Sequence, residues 1–291
     1  MRRGRYALGI VALTMLLTAC AGGEPAPPSQ TLPLATPVAT VEPTDLVGSW
    51  AVTGTGVEAG TVLRLGDREL VLFRDCDASL GDWAAHPGGL FVADLHGLTN
   101  LGDDRCGPAG SPALPDWLAR ADRFEVDGVV RVLLDRAGVE VARLSPGARP
   151  SVPPNMDPAR GTPPAVTDET RAWLASPAPL PSALAPVARN ALTGRWLPLV
   201  EPGRVREAPH VVLADDGTWR GSDGCNNLRG RWTTGPDGAL VATAAPQTLI
   251  GCDGTPLATW LGYARRAGLD DDVLVLVNVK GTEIGRLRRD G

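Results

Sequence analysis

Histidine and lysine are scarce in this chain: His86, His96 and His210 are the only imidazoles among 291 residues, and Lys280 is the only lysine. So few imidazoles leave little material for general acid–base work or metal ligation. His86 reads as a solvated turn residue and His210 as part of a strand. The Gly-x-Ser-x-Gly elbow, the His-Glu-x-x-His helix and the phosphate loop are all missing. The acidic run Asp270-Asp271-Asp272 lacks the ligand spacing of a calcium loop and reads as a solvated turn. No catalytic residue, metal ligand or cofactor is therefore expected. Positive charge is also short. The formal net charge is -5, and loss of Arg2, Arg3 and Arg5 with residues 1–19 would take it to -8 (-5 minus 3). Such a surface has no basic field for nucleic acid or anionic headgroups.

Long apolar runs are missing too. Tyr6 to Leu17 is apolar for only about a dozen residues, too short for a spanning helix and typical of a signal h-region. Arg2, Arg3 and Arg5 precede it, and Leu17-Thr18-Ala19-Cys20 closes it. Small residues before a cysteine at this point look like a bacterial lipobox. The implied processing is cleavage before Cys20, thioether lipidation of Cys20 and acylation, for example by palmitate, of the new amino terminus. An ordinary signal peptide or a chance cysteine is the plainer alternative. Residues 1–19 are thus expected as leader and 20–44 as a lipidated cysteine with a Pro/Thr-rich stalk. Several buried acyl chains give stable anchoring, where one chain is marginal.

What is present is a sequence written twice. Leu46-Val-Gly-Ser-Trp50 returns as Leu192-Thr-Gly-Arg-Trp196, shifted by 146. Cys76 and Trp83 return as Cys225 and Trp232, shifted by 149, and Cys106 returns as Cys252. Leu114, Trp117, Leu118 and Ala121 return as Leu257, Trp260, Leu261 and Ala264, shifted by 143. Drift of this kind is what loop insertions and deletions produce. The boundaries predicted are one module over 45–145, a Pro-rich linker over 146–190 and a second module over 191–291. With Cys20 set aside, four cysteines remain, which allow three pairings. The duplication favours Cys76–Cys106 and Cys225–Cys252, one bridge per copy. A four-cysteine zinc site and free buried thiols are the alternatives.

Strands dominate the expected structure. His210–Leu213 and Thr218–Arg220 flank Asp216-Gly217, and Val273–Val279 and Glu283–Leu287 flank Lys280-Gly281, both hairpin signals. One helix per module is expected. In the second, Thr255 is read as its cap, Pro256 as its first residue and Gly268 as its end, with Leu257, Trp260, Leu261 and Ala264 on one face. In the first, Pro115 forces the helix to start there or to distort its first turn. Within the linker, Asp168 to Ala175 is expected as a short helix capped by Asp168 and anchored by Trp173.

Gly224-Cys225-Asn226-Asn227-Leu228-Arg229-Gly230, followed by Thr248-Leu249-Ile250-Gly251-Cys252 and preceded by Thr193-Gly194-Arg195-Trp196, resembles the META (HslJ-like) domain family. The resemblance covers about residues 192–289. Residues 45–145 read as a diverged copy in which Arg74-Asp75-Cys76-Asp77 replaces the Gly-Cys-Asn core. The fold class implied is α+β: two tandem META-like modules, each a curved antiparallel β-sheet packed around one α-helix. No catalytic residues carry over. Asn226 is expected to hydrogen-bond backbone beside the disulfide turn, a task that Asp77 can also perform, and a ligand-binding role that would set the two copies apart is the alternative. The function expected is that of a non-enzymatic protein, lipid-anchored through Cys20 on the extracytoplasmic side of a cell membrane. It would serve binding, envelope stress or envelope maintenance, with an envelope protein or a small apolar ligand as partner. Carriage of a lipid or apolar ligand in a cavity between sheet and helix is the alternative, and a secreted hydrolase the second.

Overall fold

A computed structural model describes residues 41–100, 114–200, 203–248 and 251–291. The leader, Cys20, most of the stalk and Cys106 lie outside the described residues. The described chain is mostly β, arranged as two antiparallel sheets with few helices.

The first sheet is a closed barrel of eight strands in sequence order. They are β1 (Gly48–Thr53), β2 (Val62–Leu65), β3 (Glu69–Phe73), β4 (Asp77–His86), β5 (Leu90–Asn100), β6 (Arg123–Asp127), β7 (Val130–Leu134) and β8 (Glu140–Pro146). β8 closes the ring on β1, with Trp50 opposite Pro146 and Thr53 opposite Arg143. Alternate residues turn inward, as the two-residue period of a strand requires. Trp50 and Val52, Leu63 and Leu65, Leu70 and Leu72, Trp83 and Ala85, and Phe91, Ala93 and Leu95 all join one buried cluster. Eight strands enclose a space just wide enough for side chains to fill. Helix α1 (Asp116–Arg120) completes the filling with Trp117 and Leu118. Pro115 stands at its N-cap position, so the helix begins just past the proline, as expected.

The segment between the sheets packs on both of them. Its helix α2 (Asp168–Trp173) is capped by Thr167 rather than by Asp168. Thr167 Oγ1 accepts from the Thr170 backbone N–H at 3.1 Å, and the Thr170 hydroxyl reciprocates at the Thr167 N–H, a capping box that Asp168 could not form. Leu174 joins the barrel core, while Val187 joins the core of the second sheet.

The second sheet begins with β9 (Ala185–Pro186), and helix α3 (Arg189–Leu192) follows. Next come β10 (Gly194–Pro198), β11 (His210–Leu213), β12 (Thr218–Ser222), β13 (Asn227–Thr234), β14 (Leu240–Ala242), β15 (Arg266–Asp270), β16 (Val273–Val277) and β17 (Glu283–Arg289). Helix α4 (Leu257–Tyr263) lies between β14 and β15. The strand order is β14-β13-β12-β11-β10-β17-β16-β15-β9. From β10 to β17 this is the order of the barrel, opened between β14 and β15. In the barrel, β5 and β6 share the single register pair Leu90–Arg123. At the opening of the second sheet stands the isolated bridge Ala239–Arg266, 149 and 143 residues further on.

Two expectations about α4 are corrected. Thr255 does not cap it: its Oγ1 is buried and has no hydrogen-bond partner among the described residues, and Pro256 holds the N-cap position. Nor does the helix run to Gly268. Ala264 turns extended at ψ 138°, and Arg266–Asp270 pair residue by residue with Val277–Val273 of β16. The helix-favouring run Ala264-Arg265-Arg266-Ala267 is overridden by pairing on both flanks, since β9 covers the other side of β15. The apolar face of α4 is as expected: Leu257, Leu261 and Ala264 are buried and Trp260 packs against the same cluster.

The two sheets meet through a small apolar patch of Ala84, Leu90, Val92, Ala239 and Val241. Polar ties surround it. Thr233 donates to Asp122 at 2.7 Å, Arg189 lies 3.8 Å from Asp122 and 3.6 Å from Asp215, and Arg136 lies 3.4 Å from Asp215.

Candidate functional site

The Gly-Cys-Asn motif sits on the turn that joins β12 to β13. Cys225 and Cys252 are within bonding distance, with Cα atoms 6.3 Å apart, inside the normal span of a disulfide. Cys76 is also disulfide-bonded, while the other half expected for it, Cys106, lies outside the described residues.

Each remaining motif residue has a structural task. Gly224 takes φ +101°, a left-handed conformation that a β-carbon penalises, and packs against Val205. Asp223 is buried, and its Oδ1 accepts from the backbone N–H groups of Cys225 and Asn226 at 2.7 and 2.6 Å. Asn226 supports that carboxylate. Its side chain donates to Asp223 Oδ2 at 2.9 Å and accepts from the Thr248 hydroxyl at 2.7 Å. Asp223 holds the backbone of the turn, and Asn226 holds Asp223. Gly230 lies where β13 crosses β14. A β-carbon there would overlap the Thr243 carbonyl oxygen and the Trp219 indole.

The barrel carries the same turn 149 residues earlier with its chemistry reversed. Arg74 stands where Asp223 does and Asp77 where Asn226 does. Arg74 donates from Nε and Nη2 to Asp77 Oδ1 at 3.0 and 2.7 Å. The acceptor has moved from the first position of the tie to the fourth, and the tie survives. Gly81 matches Gly230 in turn, since a β-carbon there would overlap the Asp94 carbonyl oxygen, and Asp94 is the counterpart of Thr243.

Beside the disulfide lies a cleft of about 300 Å³ whose wall includes Gln247, Thr248, Thr255 and Thr259. It offers amide and hydroxyl groups for hydrogen bonding. The nearest carboxylate, Asp223, is already held by three donors of its own turn. Elsewhere, His96 Nε2 lies 3.1 Å from Asp82 Oδ2, and among the described residues it bonds to nothing else. His210 falls on β11 as expected. The acidic run is a turn, as expected: Asp271 takes φ +52° between β15 and β16, and Asp270 pairs with Arg286 at 2.8 Å.

His86 is not the solvated residue that its neighbours suggest. It ends β4 with only 6% of its surface exposed, its Nδ1 accepts from Gly88 N–H at 2.9 Å and its Nε2 has no partner among the described residues. Burial, with Arg266 and Arg265 nearby, lowers its pKa to about 4. An unfolded imidazole titrates near 6.5. Between those values the unfolded chain takes up the proton first, so stability is full above about pH 6.5 and falls as pH drops toward about 4. The loss expected at pH 4.5 is about 2–3 kcal/mol. Urea unfolding at pH 7 and 4.5 checks this. His86→Gln should lose less than the wild type between the two, and an equal loss would remove His86 as the cause.

No protein-family model matches this chain, and no curated protein or solved structure matches it. The structure itself defines a mostly β protein of two antiparallel sheets whose recognisable motif is consumed in holding a turn. The residues that sequence reasoning passed over are Arg68, Arg265 and Tyr263, which gather around Trp173. The one available signal was a lone tryptophan in a Pro-rich segment.

Proposed function

We propose that this chain is a non-enzymatic, lipid-anchored protein of the cell envelope, built from two tandem META-like modules and acting there in binding or maintenance. The observation that carries the anchoring is Leu17-Thr18-Ala19-Cys20 leading into a proline-rich stretch. The module reading is supported by the shared strand order and by equivalent details. Trp50 Nε1 donates to the Leu46 carbonyl at 2.8 Å, and Trp196 Nε1 to the Leu192 carbonyl at 2.7 Å, the two pairs being 146 residues apart. The matched crossings at Gly81 and Gly230 point the same way. A barrel interior filled by Trp50, Trp83, Phe91 and Trp117 favours binding at a surface or cleft over carriage in an enclosed apolar cavity.

Fractionation of cells that express the whole chain tests the anchoring. The wild type is expected in the membrane fraction, released by detergent and labelled by a palmitate analogue. Cys20→Ala is expected unlabelled and in the soluble fraction. Equal recovery of both proteins in the soluble fraction would overturn the proposal.

A further inference from the structure

The segment between the sheets places Trp173 in an unusual setting. The guanidinium carbons of Arg68 and Arg265 each lie over its indole, 4.0 Å from the ring centroid. Tyr263 meets the same indole edge-on at 5.2 Å, and Arg68 Nη1 bonds to the Tyr263 oxygen at 3.2 Å. A guanidinium held over an aromatic face still has N–H groups to offer other partners. Arg68 comes from the β2–β3 turn, Arg265 and Tyr263 from the α4–β15 junction, and Trp173 from α2.

A buried arginine and a surplus of cations set this place apart. Arginines such as Arg64, Arg74, Arg143, Arg160 and Arg286 have carboxylate partners. Among the described residues Arg68 and Arg265 have none, and while Arg231 and Arg266 also lack one, Arg265 is the only arginine that is buried, at 3% exposure. Arg265 uses Nη1 alone, toward the Gly262 and Ala264 carbonyls at 3.1 and 2.8 Å. Its Nε and Nη2 make no hydrogen bond among the described residues. Lys280, on the β16–β17 turn, likewise forms no ion pair among them. All three cations line one cleft of about 400 Å³, together with the carboxylates of Asp67 and Glu169. Asp67 is engaged by the Thr170 hydroxyl, and Glu169 is exposed at the start of α2. Three cations against two carboxylates leave this lining at +1 in a chain whose net charge is -5. Burial first, and Arg68 second, lower the pKa of Arg265 to about 10, against a smaller opposing effect of Tyr263. Arg265 therefore stays charged at neutral pH. A buried charge without a counter-ion is costly, and an arriving anion with matching acceptors relieves that cost.

We propose that this cleft binds a small organic phosphate monoester, its phosphate held by Arg68, Arg265 and Lys280 and its flat apolar body laid against the exposed ring of Tyr263. Phosphate fits better than a single carboxylate because it brings close to two charges and three acceptor oxygens to a site with three separate donors. The proposal stands independently of lipid anchoring, because every group in it belongs to the folded body.

Calorimetric titration of the whole chain with phenyl phosphate, benzoate and neutral benzyl alcohol tests it. Saturable, salt-weakened binding of phenyl phosphate is expected, with benzoate weaker and benzyl alcohol absent. The double variant Arg68→Gln with Lys280→Ala removes two exposed cations and should weaken phenyl phosphate by about tenfold or more, with the melting temperature lowered by only a few degrees through loss of the Arg68 contacts to Trp173 and Tyr263. A second double variant, Arg220→Gln with Arg288→Ala, removes the same charge from exposed positions outside the cleft and should bind as the wild type does. The proposal fails if phenyl phosphate does not bind saturably, if both double variants lose equally, or if benzyl alcohol binds as well as phenyl phosphate.

Discussion

A chain carrying Cys225→Ser and Cys252→Ser should melt well below the wild type. The bridge closes a loop with a sequence separation of 27. Releasing such a loop returns entropy to the unfolded chain equivalent to roughly 3.5 kcal/mol in the chain-entropy model. For a body of this size that corresponds to a fall of about 7–14 °C in melting temperature. The loss should exceed that of Thr248→Ala, which removes a single hydroxyl bond to Asn226 and costs about 1 kcal/mol. Differential scanning calorimetry of the two variants decides the matter. A double-serine variant melting within about 2 °C of the wild type would show that the turn is held by Asp223 and Asn226 without help from the bridge.

Gly230→Val should be as damaging for a different reason. Its side chain has no room: the Thr243 carbonyl and the Trp219 indole already occupy the space above the glycine. Strands β13 and β14 would have to part, breaking the Thr243 N–H bond to the Arg231 carbonyl at 2.9 Å. Overpacking a rigid core costs about 1–3 kcal/mol, and the lost strand pairing adds to it, so about 3 kcal/mol or more is expected. Gly81→Val should do the same to the barrel through the Asp94 carbonyl. Gly262→Ala offers the contrast. It lies in α4 with nothing within 4 Å of a new β-carbon, and alanine should stabilise that helix by roughly 0.5–1 kcal/mol. Equal unfolding midpoints for Gly230→Val and Gly262→Ala would sink the explanation of the motif glycine.

The sequence shows the hairpins better than the helices. Asp216-Gly217 and Lys280-Gly281 do form turns, with Gly217 at φ +83° and Gly281 at φ +79°, because so few residues tolerate that conformation. β11 has the boundaries that alternation predicts. β15 was hidden because Arg265, Arg266 and Ala267 favour a helix locally, and only the strands on either side decide otherwise. Closure of the first sheet was hidden as well, since it rests on the pairing of β1 with β8, almost a hundred residues apart. At the motif, the residues were legible and the task of Asp223 was not. Nothing in the spacing says that Asp223 holds the backbone while Asn226 holds Asp223. The cleft around Trp173 draws on four separated segments, so no local pattern announces it.

The second sheet stays open, yet neither flank invites another chain. β14 lies against β4 and β5 of the barrel. At the far flank β9 covers part of β15, with Pro186 opposite Gly268. Proline has no N–H to offer a further strand, so strand addition meets a missing donor there. A recombinant fragment begun at residue 191 would discard Ala185 and Pro186 and leave β15 as a bare edge. Those two residues therefore guard the edge of the second sheet against strand addition.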